Sequence, residues 1–320
     1  MPLALTRRHA LALAAAVLPL PALAQLGGPV RLLVGYAPGG PVDTAACQFA
    51  PHLARELGVP VQVENKPGAN ATLAGDLVAK AEPDGRTLWF SASPPVTISP
   101  NILKKMAFDP SKDLTAVAPL VIYDNVLVVN AALPAKTLQE LLAHAKANPG
   151  KLTYGSAGIG ASNHLSGELM AQKSGTQLTH VPYKGSAPAM NDVIGGQTSM
   201  MFDIVNTARG HIASGRVRPI ALGSAKRNAA LADVPTFAEA GMPGFDVGGW
   251  FALFGPPKLP AAVNTALYNA TMKALASPEL KKAYGDAGFE IWQASGAEVA
   301  ARVVSERAMW ATVTKGISVD

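Results

Sequence analysis

The chain has 320 residues, with 27 Lys and Arg against 22 Asp and Glu, a net charge of +5 and a single cysteine. A basic excess this small excludes a nucleic-acid surface, which needs clustered cations. One cysteine excludes a disulfide framework and a cysteine-based metal site, and no apolar stretch is long enough to span a bilayer.

In chain order the N-terminus comes first. Arg7 and Arg8 precede an apolar stretch over residues 10–20, which runs into Ala22-Leu23-Ala24 before Gln25. A charged start, a short apolar centre and a small-x-small ending make a secretory signal, cleaved near Ala24, that directs the chain to the bacterial periplasm. The Thr6-Arg7-Arg8-His9-Ala10-Leu11 string partly fits twin-arginine export. Ala10 stands where that signal usually carries Phe, so Sec export fits equally well. No cysteine follows the apolar stretch, so no lipid anchor is expected. Removing residues 1–24 takes two arginines and no acid, leaving 25 basic against 22 acidic residues and a net of +3.

Residues 25–320 exceed what one core usually supports and imply two domains. The first unit, RLLVGYAPGGPVDTAA from Arg31, is a strand that stops at glycines and passes into a helix. Cys47 falls in the apolar pattern of that helix and is expected to be a buried small hydrophobe. Residues 61–64 read as a strand, 71–81 as a helix, and 87–91 and 126–129 as strands. Residues 137–147 form a clear helix, with Leu138, Leu141, Leu142 and Ala145 on one stripe and Asn148-Pro149-Gly150 as the stop. The strand-turn-helix unit then recurs as KLTYGSAGIGASNHLSGEL from Lys151 and LTHVPYKGSAPAMNDVI from Leu178, before an apolar run that ends at Asp203. Alternation of this kind predicts an α/β architecture of parallel sheets covered by helices. Helix-poor passages near Asn125 and Gly248 are the expected crossings between two lobes. They divide the chain into residues 25–124 plus 249–320 and residues 125–248.

The repeated unit carries the functional signal. A strand that enters a helix through small residues leaves backbone N–H groups unpaired at the positive end of a helix dipole, a ready seat for an anion. In the first turn Gly39 and Gly40 let the backbone approach a ligand, and Asp43 sits in the first helical turn. The same residues also fit a plain tight turn. Tyr36 is either a cleft wall or a core aromatic. Ser162 is either a ligand donor or a helix cap. Lys184, beside Gly185, is either a counter-ion or a solvated edge residue. Asp203 ends a strand on the side where α/β proteins place ligands, and it suits an amine, a hydroxyl or a water better than a carboxylate.

Enzyme readings find no support. There is no G-x-S-x-G, Walker A or H-E-x-x-H string, and the six histidines lack ligand spacing. Gly158-Ile159-Gly160 has Asn163 where a dinucleotide fingerprint needs its third glycine. No catalytic residue, cofactor or metal is expected.

The strings YAPGGPVD, VENKPGAN, AKAEPDGRTL, VLVVN, YGSAGIGASNHLSGEL, HVPYKGSAPA, MMFD, SAKR, LADVPTFAEAG and GWFALFGP follow one another in the order and spacing of a single family. In them the chain resembles the Bug family of periplasmic solute receptors, the substrate-binding components of tripartite tricarboxylate transporters. The resemblance covers essentially everything after the signal. It implies a two-lobed type II periplasmic-binding-protein fold, a Venus flytrap whose lobes are mainly parallel sheets flanked by helices. It further implies a monomer that closes on a small organic carboxylate and passes it to integral-membrane permease subunits. A sensor that signals to a membrane histidine kinase would use the same fold. The resemblance puts Ser156, Ser162 and His164 at the ligand, with Ala161 where the family usually has Ser or Thr. His164 alternatively packs and ties down a loop. The loop Ser91-Ala92-Ser93-Pro94-Pro95-Val96 and the pair Ile204-Val205 are less polar than is usual in the family. Ser91 and Ser93 then remain as the distal hydroxyls, which favours an aromatic or alkyl dicarboxylate.

Overall fold

Two mixed β-sheets, each flanked by helices, carry the chain in this computed structural model, which describes residues 27–314. The expected export signal, with its expected cleavage near Ala24, lies outside the described residues.

Strand β1 (Val30–Val34) leads into α1 (Pro41–Leu57), and β2 (Val61–Asn65) and α2 (Thr72–Ala79) follow. Pro41 presets the first turn of α1, and the Gly58 N–H closes its last turn on the Ala54 carbonyl. Val42, Ala45, Ala46, Phe49 and Leu53 form the buried stripe of that helix. Cys47 corrects our expectation, because it is exposed. Its alanine neighbours take the buried positions, and its Sγ lies 3.9 Å from Asp43 Oδ1 on the outer side. Helix α2 starts one residue later than the pattern suggests, because Ala69, Asn70 and Ala71 all have positive φ.

After β3 (Thr87–Ala92) come two single turns, α3 (Pro94–Thr97) and α4 (Ser99–Ile102), then β4 (Thr115–Tyr123). Only Asp124 separates β4 from β5 (Asn125–Asn130), the first strand of the other sheet. The second lobe continues with α5 (Leu138–Ala147), β6 (Thr153–Ser156), α6 (Ser162–Ser174) and β7 (Thr179–Pro182). It ends with α7 (Ser186–Ile194), β8 (Met200–Ile204), α8 (Val205–Ala213) and β9 (Val217–Leu222). The chain returns to the first sheet as β10 (Gly249–Gly255), α9 (Ala261–Ala276), α10 (Pro278–Asp286), β11 (Glu290–Ile291) and α11 (Gly296–Val313). Thr137, expected as the first helical residue, is instead the cap of α5, its side chain accepting from the Glu140 N–H, and Ser295 with Glu298 forms a capping box on α11.

Strand order is β11-β4-β10-β3-β1-β2 in the larger sheet and β7-β6-β8-β5-β9 in the smaller. The expectation of mainly parallel sheets is corrected. Only β1 with β2 and β3, and β6 with β7 and β8, pair in parallel. The pairings of β4, β5, β9, β10 and β11 are antiparallel. Parallel neighbours need a helical crossover, and a strand arriving directly from the other lobe has none.

The two crossings lie side by side. Asn125 donates through Nδ2 to the Val247 carbonyl at 2.6 Å, and the Gly223 N–H donates to the Asn125 carbonyl at 2.7 Å. Each lobe has its own core. Trp89, Phe90, Phe251 and Phe254 fill the first, and Phe202, Phe237 and Phe245 stack in the second. Burial of such rings, at about 1.5–3 kcal/mol each, makes each sheet a rigid platform for its turns.

Candidate ligand-binding site

All three strand-turn-helix units point their helix starts into the space between the lobes. One small cavity there has Gly40, Pro41 and Val42 of α1 on one side, Ala161, Ser162 and Asn163 of α6 on the other, and Ser186 of α7 beside them. Tyr36, Ala92, Pro94, Tyr123, Ala157 and Ile204 complete an otherwise apolar wall. The cavity measures about 20 Å³, room for one water.

Internal bonds shape each turn before any ligand is considered. In the first, Asp43 Oδ2 accepts from the Gly39 N–H at 2.8 Å and Oδ1 accepts from Asn65 Nδ2 at 2.7 Å. Asp43 therefore spends its carboxylate on its own turn, and Gly40 is the glycine that faces the cavity. Tyr36 is buried against it, and burial raises its phenol pKa.

The second turn is held by imidazoles. The Gly160 N–H donates to His164 Nδ1 at 3.0 Å, and Ser156 Oγ lies 2.6 Å from His180 Nε2. The two rings stack with centroids 4.0 Å apart, inside the second lobe. Burial lowers the pKa of His164, and burial with His164 as neighbour lowers that of His180 to about 3. Neither histidine lines the cavity, and neither does Ser156. Asn163 accepts from the Ala157 N–H at 3.0 Å and reaches Ser186 Oγ at 3.3 Å, which links the second and third turns.

In the third turn it is the backbone of Lys184 that crosses the cleft, its carbonyl accepting from the Ala37 N–H at 3.3 Å. The Lys184 side chain is exposed and lines no cavity. Gly185 makes this approach possible, since at φ +136° a Cβ would lie 3.2 Å from the Ala37 nitrogen. Gly160 does the same at the lip, where Ile102 of the first lobe occupies the place of a side chain. Ile98, Ile102 and Leu165 form a small apolar seal across the two lobes.

Asp203 lies beneath the site, 1 % exposed, accepting from Thr207 Oγ1 at 2.6 Å. Burial pushes its pKa up to about 6, against the pull of the Thr207 hydroxyl. Ser91 spends its hydroxyl on the Ala92 carbonyl and lines no cavity. Ser93 lines a larger groove of about 670 Å³ that adjoins the small cavity and shares Pro94, Tyr123 and Ser162 with it.

Tyr123, Asn163 and Ser186 escaped the sequence reading as site residues. Tyr123 is the most informative of them. It ends β4 at the crossing, its hydroxyl faces Ser93 of its own lobe and Ser162 of the other, and burial raises its pKa to about 12. Its ring lies over Gly249, where a Cβ would come within 2.3 Å of its hydroxyl. Only the Gly248-Gly249 pair, opposite in the fold but remote in sequence, could have signalled it.

A two-lobed fold whose shared cleft is lined by facing helix starts is the architecture of a periplasmic binding protein. The model of the family described as "Tripartite tricarboxylate transporter family receptor" matches residues 45–318, and the chain belongs to that TctC family. The periplasmic binding protein BugD has a solved structure that is 32 % identical, with a TM-score of 0.87 over 91 % of this chain and 98 % of that one. MatC from Rhodopseudomonas palustris with bound malate is 31 % identical, with a TM-score of 0.85 over 89 % of this chain and 98 % of its own. A second R. palustris protein, solved with adipate, is 31 % identical, with a TM-score of 0.87 over 90 % and 96 % of the two chains.

Proposed function

We propose that this receptor, exported and cleaved near Ala24, captures a small dicarboxylate with an apolar body and delivers it as a monomer to the permease subunits of a tripartite transporter. One observation carries the reading: helix starts from both lobes converge on a single cavity through Gly40, Ser162 and Ser186. Residues 25–124 with 249–320 form one jaw and residues 125–248 the other. A carboxylate entering between them takes N–H donors from Gly40 and from the starts of α6 and α7, and a hydroxyl from Ser162. Ala161 lines the cavity beside Ser162, and Gly39, Asp43, Ser156, His164, Gly185 and Asp203 act behind these groups by shaping the turns.

Magnitudes support binding without a cofactor or metal. A micromolar dissociation constant needs about 8 kcal/mol, and charge-assisted hydrogen bonds contribute roughly 1.5–3 kcal/mol each. Four such bonds with an apolar body buried reach that value after the cost of association. The aliphatic wall of Val42, Ala92 and Ile204 offers no partner to extra hydroxyls, which disfavours tartrate and citrate. Malate and adipate, held by the two relatives, are both small dicarboxylates, and of the two only adipate has the apolar body proposed here.

A thermal-shift panel of adipate, terephthalate, malate, glutamate, tartrate and citrate tests the reading. Adipate or terephthalate should raise the melting temperature most. Stabilisation by citrate or glutamate alone would refute the apolar-bodied class.

A further inference from the structure

The room for a ligand body is unevenly placed around the anion seat. The cavity at the helix starts holds about one water, whereas the adjoining groove of about 670 Å³ falls within the usual range of small-molecule sites. The two spaces meet at Pro94, Tyr123 and Ser162. A molecule anchored by one carboxylate at the helix starts therefore has one direction in which to extend.

The groove is lined by charges of both signs. Asp124, Asp246, Glu290 and Glu306 supply the acids. Asp124 accepts from Asn228 at 2.9 Å, and its pKa is raised by burial first and then by the two neighbouring acids. Unpaired acids of this lining repel a second anionic group. On the wall formed by α11 stands Arg302. Its guanidinium lies 4.8 Å over the Trp292 ring and 5.9 Å from that of Trp250. Its Nε donates to Glu306 at 2.6 Å, and Glu306 also accepts from Trp250 Nε1 at 3.0 Å. Among the described residues no hydrogen bond uses Nη1 or Nη2. The Nε donor is thus spent on holding the fork still, and the four donors of the terminal nitrogens remain for a planar acceptor. Lys226 and Arg227 also line the groove, but Lys226 is exposed at its rim and Arg227 is tied to Glu239 at 2.9 Å.

We infer that Arg302 is the second anion seat of this receptor, so that its ligand is an elongated dianion, one carboxylate at the helix starts and the other on the Arg302 fork, with the chain between them passing Tyr123. The inference rests on the carboxylate-receptor reading and adds to it the length of the ligand and the side chain that holds its second carboxylate.

Calorimetry with matched probes separates the two claims. Suberate and octanoate share an eight-carbon chain and differ by one carboxylate, and adipate with hexanoate repeats the pair at six carbons. Wild-type protein should bind suberate at least about tenfold more tightly than octanoate. Arg302→Gln should remove that preference while leaving octanoate within about twofold. A purely structural role for Arg302 would weaken both probes together. Glu306→Gln, which frees the fork, should tighten suberate and not octanoate, and it provides the contrast if Arg302→Gln does not fold. Equal binding of suberate and octanoate by wild type, or parallel changes for both probes in the variants, would overturn the Arg302 seat and leave the carboxylate receptor standing. No binding of any of the four acids would overturn both.

Discussion

The turns of the two lobes solve one problem with different chemistry. Each must hold a strand-to-helix junction rigid while leaving N–H groups free at the cleft. The first lobe does so with a single carboxylate, Asp43, bonded to Gly39 and Asn65. The second uses two stacked neutral imidazoles, His164 and His180, with Ser156 and the Gly160 N–H as their partners. A carboxylate beside an anion site costs little when its charge is consumed by its own turn and lies at a helix start. Neutral rings add no charge at all, but their neutrality depends on burial. The second lobe therefore carries the pH-sensitive half of the site.

The lobes also differ in tolerance to a side chain at the turn, and this gives the largest expected effect. At Gly160, φ is +82° and Ile102 Cδ1 would lie 2.1 Å from a Cβ. Gly160→Val should prevent the lips from meeting and abolish ligand binding, with folding weakened by roughly 1–3 kcal/mol. Calorimetry and denaturant unfolding together check this. Unchanged binding would show that Ile102 and Leu165 are not a closure seal.

A smaller effect sharpens the contrast in pH response. His180 has a folded pKa of about 3 against an ordinary value near 6.5, so the unfolded chain binds the extra proton between those limits. Stability should fall as pH drops from about 6.5 towards 3, with His164 contributing in the same direction. Asp203, raised to about 6, acts oppositely, since the folded state holds its proton longer between about 6 and 4. His180→Gln should flatten the acid-side loss of stability. Asp203→Asn should steepen it, and should raise stability at pH 7 by roughly 1–3 kcal/mol. Denaturation midpoints from pH 4 to pH 8 decide the matter. An acid limb unchanged in His180→Gln would break the comparison.

The parts of this architecture that sequence reveals are the local ones. The strand-glycine-helix junctions at residues 34–41, 156–162 and 182–186 follow from neighbours in the chain, and each is present. Parallel pairing failed wherever a strand arrives from the other lobe, because direction there is set by the crossing at Asp124 and not by a helix pattern. Cys47 was misplaced because alanines on either face of a helix give almost no amphipathic signal. Tyr123, Asn163 and Ser186 belong to the site through contacts between strand ends far apart in the chain. His164 illustrates the limit of a resemblance. Its position at the mouth of the turn suggests a ligand donor, while its ring faces His180.

The central claim is that helix starts from both lobes hold a carboxylate at Gly40. A Cβ at Gly40 meets nothing nearer than the Ala37 carbonyl at 3.5 Å, and its backbone φ of −78° accepts any residue, so Gly40→Val should fold with a melting temperature close to wild type. Its isopropyl group would nevertheless enter the 20 Å³ cavity. Calorimetry of Gly40→Val against the carboxylate that most stabilises wild type is the direct test. The account predicts no measurable binding in the folded variant, and wild-type affinity would contradict it.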